Sequence, residues 1–142
     1  MAVDLGKART GLAICDEEEI LSWPAGVITE YNREKLTERI AQEAAEYGAA
    51  QLVVGLPRNM DGTEGESARS AREFGAALAE RTGLPVDFCD ERGTTITAHE
   101  YLNATDTRGK RRKAVVDAVA ATVILENYLA ARRSRRAREG EA

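Results

Sequence analysis

The first sixteen residues, MAVDLGKARTGLAICD, set the tightest limit on what this chain can become. Ala2, Val3 and Leu5 run into the glycine-bearing turn Gly6-Lys7-Ala8-Arg9, and Leu12, Ala13 and Ile14 return. This is the pattern of two short antiparallel strands. A carboxylate, Asp4, interrupts the first apolar run. A charge inside a core strand is costly without a neutralising partner. Asp4 therefore either opens a surface turn or belongs to a group that the rest of the chain is arranged to complete.

The elements that follow decide what kind of sheet the hairpin joins. Ile20 to Thr29, with Trp23, Pro24, Gly26, Val27 and Ile28, reads as an irregular third strand, and its proline assigns it to an edge. Asn32 can cap a helix in which Leu36, Ile40, Ala44 and Tyr47 share a face, and Gly48 is a plausible stop. Leu52-Val53-Val54-Gly55-Leu56 is an unbroken apolar run of the length of a buried parallel strand. The loop Pro57 to Glu66 holds the turn residues Asn59 and Asp61-Gly62, and Thr63 and Glu66 have capping-box spacing for the next helix. Ala71, Phe74 and Leu78 form the buried stripe of that helix, and Gly83 ends it. Val86 to Cys89 alternates as a strand and stops at Asp90-Glu91-Arg92; Thr94 or Thr95 can then cap a short helix through Ala98, Tyr101 and Leu102. A polar, basic, loop-like stretch from Asn103 to Lys113 precedes a helix from Ala114 to Ala131 that is apolar on nearly all sides. Three strands followed by helix–strand units predict an α/β fold, a mixed five-stranded sheet with helices on both faces.

With 142 residues and neither internal repeat nor linker, the chain is expected to form one domain over residues 1–131, followed by a basic, disordered tail over 132–142. It has no apolar run of transmembrane length and no basic-then-apolar leader, which predicts a cytoplasmic protein without a membrane partner. Cys15 and Cys89 are far apart and lack metal-binding spacing, so they are expected as reduced core thiols. The net charge of −4 is unevenly spread. Arg108 to Arg138 holds ten Lys and Arg against two acids, a net of +8, and the remainder carries −12. Such a bipolar chain can meet a polyanion with one end; the alternative is a solvated tail.

Two further carboxylates share the anomaly of Asp4. Asp117 lies on the same helical face as Ala121, Ile124 and Tyr128, and Glu91 follows the end of a sheet strand, where sites collect in α/β folds. The predicted architecture can bring these three together. The core segments offer no cation to neutralise all three. His99, the only histidine, is expected on a helix surface beside Glu100. Oxygen ligands suit hard divalent ions such as Mg²⁺, and two ions about 3.5–4 Å apart can activate a water and stabilise the leaving oxygen of an in-line displacement. Structural salt bridges, for example Asp90 with Arg92, remain the alternative.

Four segments carry a resemblance to a known family. They are Asp4-x-Gly6-x-x-Arg9-x-Gly11, the run Gly55-Leu56-Pro57-Arg58-Asn59-Met60-Asp61-Gly62-Thr63-Glu64-Gly65, Asp90-Glu91-Arg92-x-Thr94-Thr95, and Lys113-x-x-x-Asp117-x-x-Ala120-Ala121. The chain resembles the YqgF/RuvX family of pre-16S rRNA nucleases, also described as Holliday-junction-resolvase-like. The resemblance implies an RNase H-like fold and a phosphodiesterase using Mg²⁺ or Mn²⁺, two ions held by Asp4, Glu91 and Asp117. It implies a task in maturing the 5′ end of 16S rRNA, with RNA or a pre-ribosomal particle as partner. Arg9, Asn59 and Lys113 become candidates for substrate phosphate contacts. Gly93 departs from the bulky apolar residue usual in the family at that position.

Three rivals stand beside this reading. The actin-like and sugar-kinase ATPases also use a DxGxxxxG hairpin but need two lobes, which 142 residues do not supply. A DNA resolvase would share the fold and the chemistry but act as a dimer on branched DNA, and no sequence feature here declares a dimer interface, so a monomer is expected. A non-catalytic RNA-binding module would leave the three carboxylates without a task.

Overall fold

A computed structural model describes residues 1–91 and 109–141, with side chains from Val116 to Gly140 in the second segment. The strands are β1 (Ala2–Asp4), β2 (Arg9–Cys15), β3 (Ser22–Thr29), β4 (Leu52–Leu56) and β5 (Val86–Asp90). The helices are α1 (Arg33–Tyr47), α2 (Glu66–Thr82) and α3 (Gly109–Glu141). One sheet runs in the order β3-β2-β1-β4-β5. β1, β2 and β3 pair antiparallel, and β1, β4 and β5 pair parallel. This is the expected mixed five-stranded sheet, with Pro24 on an edge strand. The register of β2 against β3 shifts between Leu12 and Ala13, where Pro24 and Gly26 are the partners and Ala25 is the extra residue.

Strand alternation sorts side chains by size onto the two faces. Val3, Leu12, Ile14, Leu52, Val54 and Leu56 point to one side and close over α1 and α2 with Leu36, Ile40, Ala71, Phe74 and Leu78. Ala2, Ala13 and Val53 point to the other side and meet Ala121, Ile124, Leu125, Tyr128 and Leu129 of α3. By the same alternation Asp4 shares the α3 face with Ala2. The small side chains of this face let α3 approach the sheet closely. Gly11 is the extreme case, because a Cβ there would lie 2.1 Å from the backbone oxygen of Asp117.

The ends of α1 follow the sequence: Asn32 caps the Lys35 amide, and Gly48 is left-handed at φ 67°. Gly83 ends α2 in the same way at φ 70°. Several expectations fail. Thr63 caps no helix; its hydroxyl and amide both turn to Asp61, and α2 begins after Gly65 without a side-chain cap. The local Asx-type turn outcompetes the cap. Tyr47 is exposed, because α1 has already reached its last turn there. α3 starts at Gly109 and continues to Glu141, so residues 109–113 are helical rather than looped. The expected disordered tail is likewise part of the helix, since its first turn is anchored by ion pairs with Glu19. The short helix around Ala98–Leu102, His99 and Arg92 lie outside the described residues. Among the described residues no helix is long and apolar enough to cross a membrane.

Candidate functional site

β1, β4 and β5 are parallel, so their C-terminal ends open on one edge of the sheet. Asp4 ends β1 and Glu91 follows β5, its amide bonded to the carbonyl of Leu56 on β4 at 3.2 Å. Gly6 holds the turn after Asp4 tight, because a Cβ there would lie 2.0 Å from the carbonyl oxygen of Arg9. Gly55 clears the space between the strands. A side chain at Gly55 would meet Oε2 of Glu91 at 2.4 Å and Cδ1 of Ile124 at 2.6 Å. The Glu91 carboxyl thus lies over a strand whose missing Cβ makes room for it.

The side chains of Asp4 and Glu91 lie within hydrogen-bond reach of each other, a contact that pulls Asp4 down and pushes Glu91 up. Burial pushes the Glu91 carboxyl up to about 8, assisted by the Asp4 charge, by the hydrogen bond it donates and by Asp90. Burial also raises Asp4; the bond from Glu91 counteracts this, and repulsion from Asp117 adds to it. Asp117 is raised by burial and held back by Arg9. Its Oδ2 lies 3.1 Å from Nε of Arg9. That oxygen is buried and accepts no hydrogen bond among the described residues, so the contact is an ion pair without hydrogen-bond alignment.

The three carboxylates singled out in the sequence are therefore gathered unequally. Asp4 and Glu91 touch, whereas Asp117 acts on Asp4 through its charge and is paired with Arg9. Among the described residues no group of three His, Cys, Asp or Glu side chains is close enough to hold a metal ion. The donor set still suits a hard divalent cation: two half-buried carboxyls lie side by side, and a third offers a buried oxygen without a hydrogen bond.

The other candidates divide differently. Arg9 does not stand free for a substrate but neutralises Asp117. Asn59 donates its amide to the hydroxyl of Thr63 at 2.9 Å and braces the loop after β4. In the same loop Glu64 holds Arg72 with two bonds of 2.6 and 2.8 Å. Lys113 lies in α3, one turn before Asp117, and its side chain is outside the described residues. Sequence reasoning missed the structural part of Gly11 and Gly55. Their signal was present, as each glycine interrupts an apolar strand.

A parallel-plus-antiparallel sheet of this order, with acidic groups at the strand ends and on the crossing helix, defines an RNase H/RuvC-like fold. The solved structure of T. thermophilus RuvC in complex with Holliday junction substrate has the same fold, with TM-score 0.55, 14% identity, and coverage of 92% of this chain and 93% of that one. The family described as RuvX, Holliday junction resolvase, matches residues 1–131, and the chain belongs to this YqgF/RuvX family. A relative from Lachnospira eligens, named "Putative pre-16S rRNA nuclease", is 42% identical over 132 residues, covering 91% of this chain and 94% of its own. One of the same name from Streptomyces coelicolor is 39% identical over 134 residues, covering 94% of this chain and 80% of its own.

Proposed function

We propose that this protein is a cytoplasmic, monomeric phosphodiesterase that cleaves RNA at the 5′ end of pre-16S rRNA. The observation that carries the reading is the half-buried Asp4–Glu91 carboxyl pair on the C-terminal strand edge, with Asp117 within electrostatic reach. Buried like charges that share a proton are costly to keep, and a divalent cation would replace that proton. The relatives' names supply the substrate class.

In this reading Asp4, Glu91 and Asp117 would hold Mg²⁺ or Mn²⁺. Such ions, when bound, supply an activated water and charge stabilisation at the leaving oxygen. The chain's own residues do the rest. Glu91, whose carboxyl is pushed up by burial and by Asp4, would have to be ionised to hold such an ion. Asp117, now paired with Arg9, would be a ligand of the ion, and the Arg9 guanidinium beside it would be placed to meet a substrate phosphate, a group its fork geometry matches. The loop braced by Asn59 lines the strand edge beside the site, and Lys113 adds positive charge one turn from Asp117.

The test is cleavage of a 16S rRNA 5′-precursor fragment by wild type and Asp117→Asn, with Mg²⁺, Mn²⁺ or chelator, beside a four-way DNA junction. Metal-dependent cutting of the RNA, lost in the variant, is the expected result. Cutting confined to the junction would replace this reading with a resolvase, for which the fold shared with RuvC is the supporting observation. RNA binding without any cutting would leave a binding module.

A further inference from the structure

The apolar face of α3 ends at Leu129, yet the helix continues to Glu141. Residues 132–138 contain five arginines. Two of them fasten the extension to the body. Arg132 reaches Oε1 of Glu19 at 2.6 Å, donates to the Tyr128 hydroxyl at 3.0 Å and also bonds the side-chain oxygen of Gln51. Tyr128 in turn donates to Asp87 at 2.9 Å. One turn on, Arg136 meets the second oxygen of Glu19 at 3.5 Å. Glu19 is itself fixed in the β2–β3 turn, left-handed at φ 59°. Asp16 closes that turn by accepting from the amides of Ile20 and Leu21 at 2.7 and 3.0 Å.

The other three, Arg133, Arg135 and Arg138, are exposed and have no ion pair among the described residues. Arg132 and Arg136 face the body, so helical spacing turns Arg133 and Arg135 to its two flanks and Arg138 away from it. We propose that this anchored arginine arm is a second nucleic-acid contact, which grips RNA phosphates far from the cut. At 1.5 Å per residue it begins about 24 Å and ends about 32 Å along α3 from Asp117. That span corresponds to at least roughly seven to nine nucleotide steps, counted at the B-DNA rise of about 3.4 Å, and to more in the shorter-rise A-form RNA duplex.

The chemistry favours a phosphate backbone over an acidic protein. The guanidinium forks lie on three sides of the helix, with Ala137 the only apolar residue among them. A protein interface needs an apolar anchor at its centre. Phosphates need none, and Arg matches them bidentately. Outside residues 108–138 the chain carries −12, which repels a polyanion from most of the body and directs it to α3. The inference rests on the nuclease reading only in taking RNA as the polyanion.

The test measures binding and requires no cleavage. Labelled RNA hairpins of 6, 12 and 18 base pairs are titrated in chelator with the full-length chain and with the triple variant Arg133→Gln, Arg135→Gln, Arg138→Gln. Circular dichroism checks that the variant keeps its helix content. The variant is expected to bind the two longer hairpins about tenfold or more weakly at low salt, with the salt slope reduced by about 2 to 3. The 6-base-pair hairpin, shorter than the span, should lose much less. Glu19→Gln, which loosens the anchor but keeps every arginine, should give an intermediate loss on the long hairpins alone. Equal affinities of wild type and variant at all lengths, or a loss independent of length, would overturn the proposal. Length-dependent binding by a protein that cuts nothing would uphold the arm while defeating the nuclease reading.

Discussion

The two faces of the sheet are made from the same strands and carry opposite solutions. On the α1/α2 face large aliphatic side chains interlock: Leu36, Leu52, Leu56 and Leu78 are at most 2% exposed, and among the described residues no charged side chain is buried with them. On the α3 face small residues and glycines leave room, which the α3 backbone takes at Gly11 and the Glu91 carboxyl and Ile124 take at Gly55. One face stabilises the fold by burying apolar area. The other gives up part of that gain to keep ionisable groups at short range in a poorly solvated place. The difference teaches where a change will be read out: stability on the first face, chemistry on the second.

The strongest break of this comparison is Asp4→Asn. Cleavage should fall by about a hundred- to a thousandfold, the scale set by loss of one preorganised electrostatic group. The metal-free melting temperature should stay level or rise, because a repelling buried carboxylate has gone. A variant that unfolds instead would make Asp4 a structural residue. The mirror experiment is Leu78→Ala, expected to cost about 2–5 kcal/mol in urea unfolding while cleavage per folded molecule changes less than about twofold. A large loss of turnover at unchanged stability would show that the faces are not independent.

Gly55→Ala lies between the two. Its new methyl would press on Glu91 and Ile124, so both readouts should move, with roughly 1–3 kcal/mol of stability lost and cleavage reduced about tenfold. pH sharpens the contrast further. Glu91 is raised from 4.5 to about 8, so between those values the folded chain keeps a proton that the unfolded chain has lost. Its contribution to stability is present below pH 4.5 and is lost as the pH rises towards 8. Without metal the melting temperature should fall by several degrees from pH 5 to pH 8, and added Mn²⁺ should remove most of the fall. A pH-independent melting curve would argue against the shared proton. The smallest effect is expected from Arg9→Gln. The Arg9 side chain is 42% exposed, so stability should change by about 1 kcal/mol or less, with the loss appearing in substrate affinity.

Most of the architecture was legible because it is written in local patterns. The run Leu52–Leu56, the stripe of Ala71, Phe74 and Leu78, the cap at Asn32 and the stops at Gly48 and Gly83 each depend on neighbours within a turn or a strand. The site was legible only as a list. Asp4, Glu91 and Asp117 each stood out as charges in apolar company, but their mutual distances are not a local property. Asp117 meets Arg9, 108 positions away in the chain, because Gly11 lets α3 settle onto β2. Nothing in the spacing of either residue announces that pair.

The arginine-rich end teaches the same lesson in reverse. Composition alone reads it as a solvated tail, since no apolar residue ties it down. Its helix continues because Glu19, Gln51 and Tyr128, which are dispersed in sequence, converge on Arg132. The sequence by itself determined the element types, the sheet's mixed character and which carboxylates were out of place, since periodicity and side-chain size act at short range. Which carboxyls lie side by side, which arginine is paired and that α3 runs on past Leu129 follow from the packing of distant segments. Those outcomes depend on desolvation and on distances between segments, and both exist only after the chain has packed.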